Sequence, residues 1–231
     1  LYEGVGPIFD AFGIEIEISR ALGNKIWLKS GGYIVIELTE ALTSIDVNTG
    51  SYVGKRNLEE TILKTNLEAV KEIAYQLRFR NIGGLIVIDF IDMEKLPNRE
   101  RVSMALKEAL SKDKAKTNIL PMSDLGLIEM TRKRTRASLN RLLSEPCAYC
   151  DGRGTLKSPK TICYEIFREL ERDCMHLEEG GSIRIVVNPE VDKILREEEQ
   201  GSVIDLEKRT GKRIIIIGKE HFHQEQYSVE L

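Results

Sequence analysis

Long apolar runs are missing from this 231-residue sequence. None approaches the roughly 20 residues that a membrane span needs, so no integral membrane segment is expected. The opening stretch, LYEGVGPIFDAF, lacks the basic start, apolar stretch and cleavage signal of a secretory leader. It also lacks a Met and opens in mid-pattern, which reads as excision from a longer protein. Cysteines number only four: Cys147, Cys150, Cys163 and Cys174. Without a leader, the expected compartment is the reducing cytoplasm. There a CxxC pair more often binds metal or does redox work than forms a structural disulfide. Aromatic residues are 6% of the chain and scarce around its basic clusters, so platforms for stacking bases are not apparent there. Internal repeats and low-complexity tracts are absent.

What is present is an ordinary globular composition, 42% hydrophobic and 31% charged. The length suffices for one large or two small domains with a sizeable core. The net charge of −3 hides an asymmetry. Lys95 to Arg141 holds 12 Lys and Arg against 5 Asp and Glu, and the rest of the chain is acidic. A basic segment in an acidic chain suggests a surface that faces a polyanion, although a merely solvated face gives the same pattern.

Periodicity divides the chain. Residues 1–30, broken by several glycines, look like the tail of a preceding unit. Tyr33 to Glu37 and Leu42 to Val47 read as two strands joined by a polar turn. A long helix follows, from about Leu58 to Arg80, with Gly83-Gly84 ending it. Leu85 to Ile91 is then predicted to be a central strand, apolar on both faces as a covered sheet requires. A second helix, about 98–114, has Asn98 as its expected N-cap. Strands near Asn118 to Pro121 and Leu127 to Thr131 complete an α/β layered domain, residues 31–142. The segment EPCAYCDGRGTLKSP reads as a linker. Beyond it, a helix over about 161–177, a strand over Ser182 to Val187, one or two helices over 189–209 and a strand over Arg213 to Ile217 form a small α/β module.

Asp89 stands out, because a carboxylate inside an apolar strand costs several kcal/mol, roughly, unless something compensates it. Asp46 and Asn48 point the same way from their own strand and lie at its end, before a glycine-containing turn. Asp89 is also near its strand end, where layered α/β sheets build their sites. If the strands are neighbours, Asp46, Asn48 and Asp89 converge. Hard oxygen ligands of this kind suit Mg²⁺ or Mn²⁺, which takes one or two carboxylates plus waters and substrate phosphate. The alternative is that Asp89 caps a loop or pairs with Lys or Arg. Asp92 is expected to face the other way.

C-x-x-C followed by D-G-R-G outlines a zinc knuckle. Structural zinc wants four ligands, and Cys147 and Cys150 supply two. Either Cys163 and Cys174 complete the set, or a second copy of the chain brings its own pair. A thioredoxin-like redox role fits poorly, because that motif opens a helix after a strand. Cys163 and Cys174 read as core residues, and His221 and His223 as surface polar residues. The densest positive cluster, TRKRTR, contributes Arg132, Lys133, Arg134 and Arg136; with nearby lysines it could track a phosphate backbone.

TEALTSIDVNTG (39–50), EETILKTNLEAVKEIAYQLRFRNIGGLIVIDFIDM (59–93), LGLIEMTRKR (125–134) and CAYCDGRGT (147–155) together resemble the bacterial RNase E/G family of endoribonucleases. The resemblance implies a DNase I-like layered α/β catalytic subdomain over 31–142 and the tail of an RNase H-like subdomain over 1–30. It further implies a zinc link over 143–159 and a small α/β domain over 160–231 that supports dimer pairing. It places Asp46 and Asp89 on Mg²⁺-binding aspartates and Asn48 on the asparagine that helps orient the attacking water. Cys147 and Cys150 fall on zinc-link cysteines shared between two protomers, and Lys116 on a basic position near the RNA 5′ end. Ala148 departs from the usual motif, which has Pro there. The expected activity is Mg²⁺-dependent cleavage of single-stranded RNA to 5′-phosphate and 3′-hydroxyl ends, in RNA processing and mRNA decay. The expected assembly is a homodimer through shared Zn²⁺, extendable to a dimer of dimers. A second expectation, from another class, is a zinc-linked RNA-binding scaffold that is inactive without further N-terminal domains.

Overall fold

A computed structural model describes residues 2–50, 58–174 and 181–230. The chain folds as two units that divide between Glu145 and Pro146. The expected end of the helix over 161–177 falls outside the described residues, and so does the side chain of Cys174, a residue expected in the core.

The first unit begins with helices α1 (Ile8–Ala11) and α2 (Ile14–Leu22) and the short strand β1 (Lys25–Trp27). Then come β2 (Tyr33–Leu38), β3 (Thr43–Asn48), α3 (Leu58–Phe79), β4 (Gly84–Asp89) and α4 (Leu96–Ser111), followed by β5 (Thr117–Ile119), β6 (Leu127–Arg132) and α5 (Leu139–Leu143). The strands form one sheet in the order β1-β2-β3-β4-β6-β5. Only β3 and β4 run parallel, because α3 carries the chain back between them; the other neighbours are antiparallel. Residues 25–27 pair with 33–35, so the sheet extends back past the boundary expected at residue 31.

One face of the sheet is the core. Ile34, Ile36, Ile45, Val47, Ile86, Ile88, Ile128 and Met130 are buried against Val70, Ile73 and Leu77 of α3 and Val102 and Leu106 of α4. The other face is not covered in the same way. Along β4, Ile86 and Ile88 are buried, whereas Leu85 is 43% exposed and Asp89 is exposed. This corrects the expectation of a strand apolar on both faces. The run Leu85 to Ile91 is apolar because its two ends differ in role: the strand stops at Asp89, and Phe90 is buried in the chain that leaves it.

Two helix ends differ from the sequence reading. Asn81, at φ 49°, stops α3: its N–H donates to Arg78 O at 3.2 Å, and that of Ile82 donates to Leu77 O at 3.0 Å. That is a Schellman closure with Asn in the left-handed position, two residues before the glycines. Helix α4 starts at Leu96, not at an Asn98 cap, because Pro97 is preset for a first helical turn. Asn98 instead donates to Glu59 Oε1 at 2.8 Å.

The second unit holds α6 (Pro159–Cys174), β7 (Ser182–Val187), α7 (Pro189–Glu197), α8 (Gln200–Thr210), β8 (Arg213–Gly218) and β9 (Tyr227–Glu230). Its sheet has the order β8-β7-β9, parallel on one side of β7 and antiparallel on the other. Ile162, Ile166 and Leu170 of α6 pack with Ile183 and Ile185 of β7 and with Val191 and Leu195 of α7. Asn188 caps α7 by accepting from Glu190 N at 2.9 Å. The molecule is mixed α/β throughout, and among the described residues no helix is long and apolar enough to cross a membrane.

Candidate active site

Strands β3 and β4 are parallel neighbours in a register that sets Asp46 directly beside Asp89. Alternation puts both on the face opposite the core, and both are exposed. Asn48, two residues on, shares that face and donates from Nδ2 to Asp46 Oδ2 at 2.6 Å. The three residues expected to converge do converge. The Asp89 carboxyl is pushed above its ordinary value, first by partial loss of the water around it and then by the negative charges of Asp46 and Asp92. Asp92 therefore acts on Asp89 even though it lies past the strand end.

Among the described residues, neither Asp46 nor Asp89 has an ion-pair partner, so the expected alternative of a Lys or Arg mate has no support here. No group of three or more His, Cys, Asp and Glu arranged to hold a metal occurs among them either. Two adjacent carboxylates with an amide beside them nevertheless fit a hard divalent cation, which takes few protein ligands and completes its shell with water and phosphate.

The backbone beneath this site is tightly built. A side chain at Gly32 would place its Cβ 2.6 Å from Asn48 O and 2.9 Å from Thr65 Cγ2, so only glycine lets the β1–β2 turn pass there. On the other strand, buried Asn66 of α3 clamps the chain that leaves Asp89. Its Nδ2 donates to Ile91 O at 2.9 Å and its Oδ1 accepts from Ile91 N at 3.2 Å.

In the second unit, Cys147 and Cys150 lie in a turn, not at the start of a helix. Gly154 N donates to Cys150 Sγ at 3.3 Å, while Arg153 N donates to Cys150 O at 2.9 Å and Gly152 N to Cys147 O at 3.1 Å. The N–H of Cys150, then that of Tyr149 and the Cys150 thiol, hold the Cys147 thiol below its ordinary pKa. Asp151, Gly152 and Gly154 take positive φ of 51°, 75° and 75°, wrapping the loop around the sulfurs. Such donors favour thiolates, the form that binds zinc. Cys163 is fully buried in the core of this unit, with its thiol pushed up to about 11 by that burial, and it is not placed to complete the ligand set.

Residues 1–135 match the Ribonuclease E/G family, and residues 146–231 match the family described as RNase E/G, Thioredoxin-like domain. The chain belongs to the ribonuclease E/G family. It is 49% identical over 230 residues to "Ribonuclease G" of Haemophilus influenzae, which covers 99% of this chain and 47% of that protein. It is 48% identical over 228 residues to "Ribonuclease G" of Escherichia coli K12, covering 99% and 46%. With "Ribonuclease E" of Haemophilus influenzae it shares 37% identity over 229 residues, covering 99% and 24%. The chain thus spans about half the length of the ribonuclease G relatives it matches.

The basic residues do not gather at the carboxylates of this family member. Asp89 pairs in register with Leu127, at the opposite end of β6 from Arg132. At about 3.4 Å per residue, that separates the two ends by roughly 17 Å. Lys116, Lys133, Arg134 and Arg136 are exposed at that far end. Arg132 is not: it is buried, and it bonds Asp113 and Ile82 O. Strand alternation turns it inward, so its assignment to RNA binding is withdrawn.

Sequence reasoning also missed the residues that brace the cysteine turn. His223 packs against Tyr149, ring centroids 4.2 Å apart with planes tilted by 48°, and its Nε2 lies 2.5 Å from Tyr149 O. Glu225 accepts from Arg153 Nη2 and from Lys157 N, each at 2.6 Å, and the Arg153 guanidinium holds its carboxyl down at about 2. These partners lie more than 60 residues downstream in sequence, and nothing in the local spacing signals them.

Proposed function

We propose that this chain carries the catalytic centre of an endoribonuclease that uses Mg²⁺, or Mn²⁺, to cut single-stranded RNA into products with 5′-phosphate and 3′-hydroxyl ends, in RNA processing and mRNA decay. The register pairing of Asp46 with Asp89 carries this reading, since it sets side by side two carboxylates that have no ion-pair partner among the described residues, in a member of a ribonuclease family. A divalent cation held there supplies positive charge that polarises the scissile phosphate and acidifies a water.

The chain's own residues do the rest. Asp46 and Asp89 provide the anionic ligands; Asn48 fixes the rotamer of Asp46 through its 2.6 Å hydrogen bond and leaves its own carbonyl oxygen to orient the attacking water. Repulsion between the two carboxylates favours cation uptake, because the cation removes it. Exposed Lys116, Lys133, Arg134 and Arg136 bind the RNA backbone at a distance from the cut. Their charges add affinity that falls with salt and carries no sequence preference.

Asp46→Asn and Asp89→Asn, tested separately on a labelled single-stranded RNA in Mg²⁺, are expected to lose cleavage by at least a hundredfold while keeping wild-type melting curves. Either variant cleaving at the wild-type rate would overturn the reading.

The second unit supports a structural role in the same reading. The Cys147–Cys150 turn offers two thiols already supplied with N–H donors, and Cys163 is buried away from them. A tetrahedral zinc then draws its other pair from a second copy, making a homodimer that can pair again into a tetramer. A cytoplasmic location, where thiols stay reduced, suits this site.

A further inference from the structure

On the open face of the first sheet, the row of side chains next to the carboxylates is aromatic. Trp27 on β1 is the register partner of Tyr33 on β2, and Tyr33 is the partner of Asn48 on β3. Alternation puts these three in one line on the face that also carries Asp46 and Asp89. The rings of Trp27 and Tyr33 meet edge to face, with centroids 5.2 Å apart and planes at 64°. The Lys25 ammonium lies over both, 3.6 Å from the Tyr33 centroid and 4.3 Å from that of Trp27. Lys25 belongs to the carboxylate row itself: it pairs with Val35, which pairs with Asp46, which pairs with Asp89.

Trp27 remains 65% exposed. A lone exposed ring needs no explanation, but this one is part of a fixed arrangement. The turn that follows β1 is pinned to α3, with Lys29 N and Ser30 N donating to the Glu68 carboxylate at 2.6 and 2.9 Å. Gly32 lets that turn lie against the carbonyl of Asn48. The rings are thereby held at a set offset from Asn48.

An exposed aromatic surface with a cation beside it is how proteins hold single-stranded nucleic acid: the base stacks on the ring, and the phosphate meets the charge. Neighbouring strands lie about 4.8 Å apart, which puts Trp27 about 10 Å from Asn48 and about 14 Å from the strand of Asp89. At about 3.4 Å per stacked nucleotide, a strand cut at the carboxylates reaches Trp27 within roughly three or four nucleotides.

We propose that Trp27, Tyr33 and Lys25 form a base-stacking subsite that holds single-stranded RNA beside the Asp46–Asp89 site. The choice of RNA as the polymer rests on the ribonuclease reading above; the geometry of the subsite does not.

Trp27 is the sole tryptophan of the 231-residue sequence, so its emission reports on this subsite alone. The full chain is titrated with a seven-nucleotide oligoadenylate in magnesium-free buffer. Trp emission and the anisotropy of a 3′-fluorescein label are followed in parallel. The expected result is saturable quenching whose midpoint matches the anisotropy. Trp27→Ala should weaken binding by about 5- to 100-fold, with Trp27→Phe recovering most of it. An abasic ribose-phosphate chain of equal length should bind without quenching. Oligoadenylate that binds with Trp27 emission unchanged, equal affinity in Trp27→Ala, or no binding at all would overturn the proposal. So would emission in the free chain that acrylamide cannot quench, because another segment or a second copy would then cover the ring. Failure of the ribonuclease reading looks different: Asp46→Asn or Asp89→Asn would go on cleaving, whereas the stacking measurement needs no turnover.

Discussion

Arg132 and Asp113 are locked together inside the first unit: Nε donates to Oδ2 at 2.8 Å and Nη2 to Oδ1 at 3.2 Å, with the two side chains only 5% and 3% exposed. Arg132 Nη1 also donates to Ile82 O at 2.7 Å, which ties β6 to the end of α3. Removing one partner of a buried pair strands the other charge and costs about 3–5 kcal/mol. Asp113→Ala is therefore expected to lower the urea midpoint of this unit sharply. A double Asp113→Leu/Arg132→Met variant should recover much of the loss, since no charge is then left buried. Burial pushes the Asp113 carboxyl up, but the Arg132 hydrogen bonds more than offset that, and it ends below its ordinary value. A depressed carboxyl stabilises the fold above its unfolded value of 3.8 and loses that contribution as pH falls through the lower folded value. Acid titration of stability below about pH 4 should accordingly be flatter in Asp113→Asn than in the parent. A midpoint within error of the parent would mean that the pair contributes nothing.

That pair also explains what the sequence could and could not convey. The hydrophobic alternation of YIVIE and LTSIDV, with the helix between 58 and 79, made β2, β3 and α3 legible, and the strand-end position of Asp46, Asn48 and Asp89 pointed at their convergence. TRKRTR, by contrast, reads as uniform positive charge. Which of its residues turns inward depends on the pleat of β6 and on an acidic partner 19 residues away, neither of which is written in the cluster. The same holds for β1: three residues among glycines show no periodicity, yet they supply the sheet edge and the exposed tryptophan. Strand β9 is four residues long and gains its place only by pairing with β7. Short edge elements owe their structure to their neighbours, and local sequence is a weak guide to them.

Asn66 sits in the middle of α3, where an amide is neutral at best for helix formation, and it is fully buried. It earns that position through the two bonds to Ile91 that bend the chain after Asp89. Asn66→Ala leaves the partly buried N–H and C=O of Ile91 without their side-chain partners, at a cost of about 1–3 kcal/mol. For a unit of this size, that is a fall of roughly 2–12 °C in Tm. Cleavage should fall further than stability does, because Asp89 loses the fixed exit that holds its strand end against Asp46. Assays run well below the lowered Tm separate the two effects. Parent-level turnover there would mean that the exit path of the strand does not govern the carboxylates.

The cysteine turn gives a prediction about stoichiometry. Cys147 and Cys150 are two ligands, a structural zinc needs four, and the buried Cys163 is not placed to supply another. Native mass spectrometry with zinc quantified should find about half a zinc per chain in a dimer. Cys147→Ser/Cys150→Ser should lose metal and dimer together while the second unit keeps its fold, since its core lies elsewhere, among Ile162, Ile166, Ile183 and Ile185. Glu225→Ala is the finer test. Glu225 holds Arg153 and the backbone of Lys157, so its loss should loosen the turn and speed zinc release to a chelator without removing a ligand. One zinc per monomer would overturn the shared site, because the two missing ligands would then have to come from within the chain. Unchanged release in Glu225→Ala would instead show that the metal, once bound, holds the turn by itself, and that the Arg153–Glu225 clamp matters only before it binds.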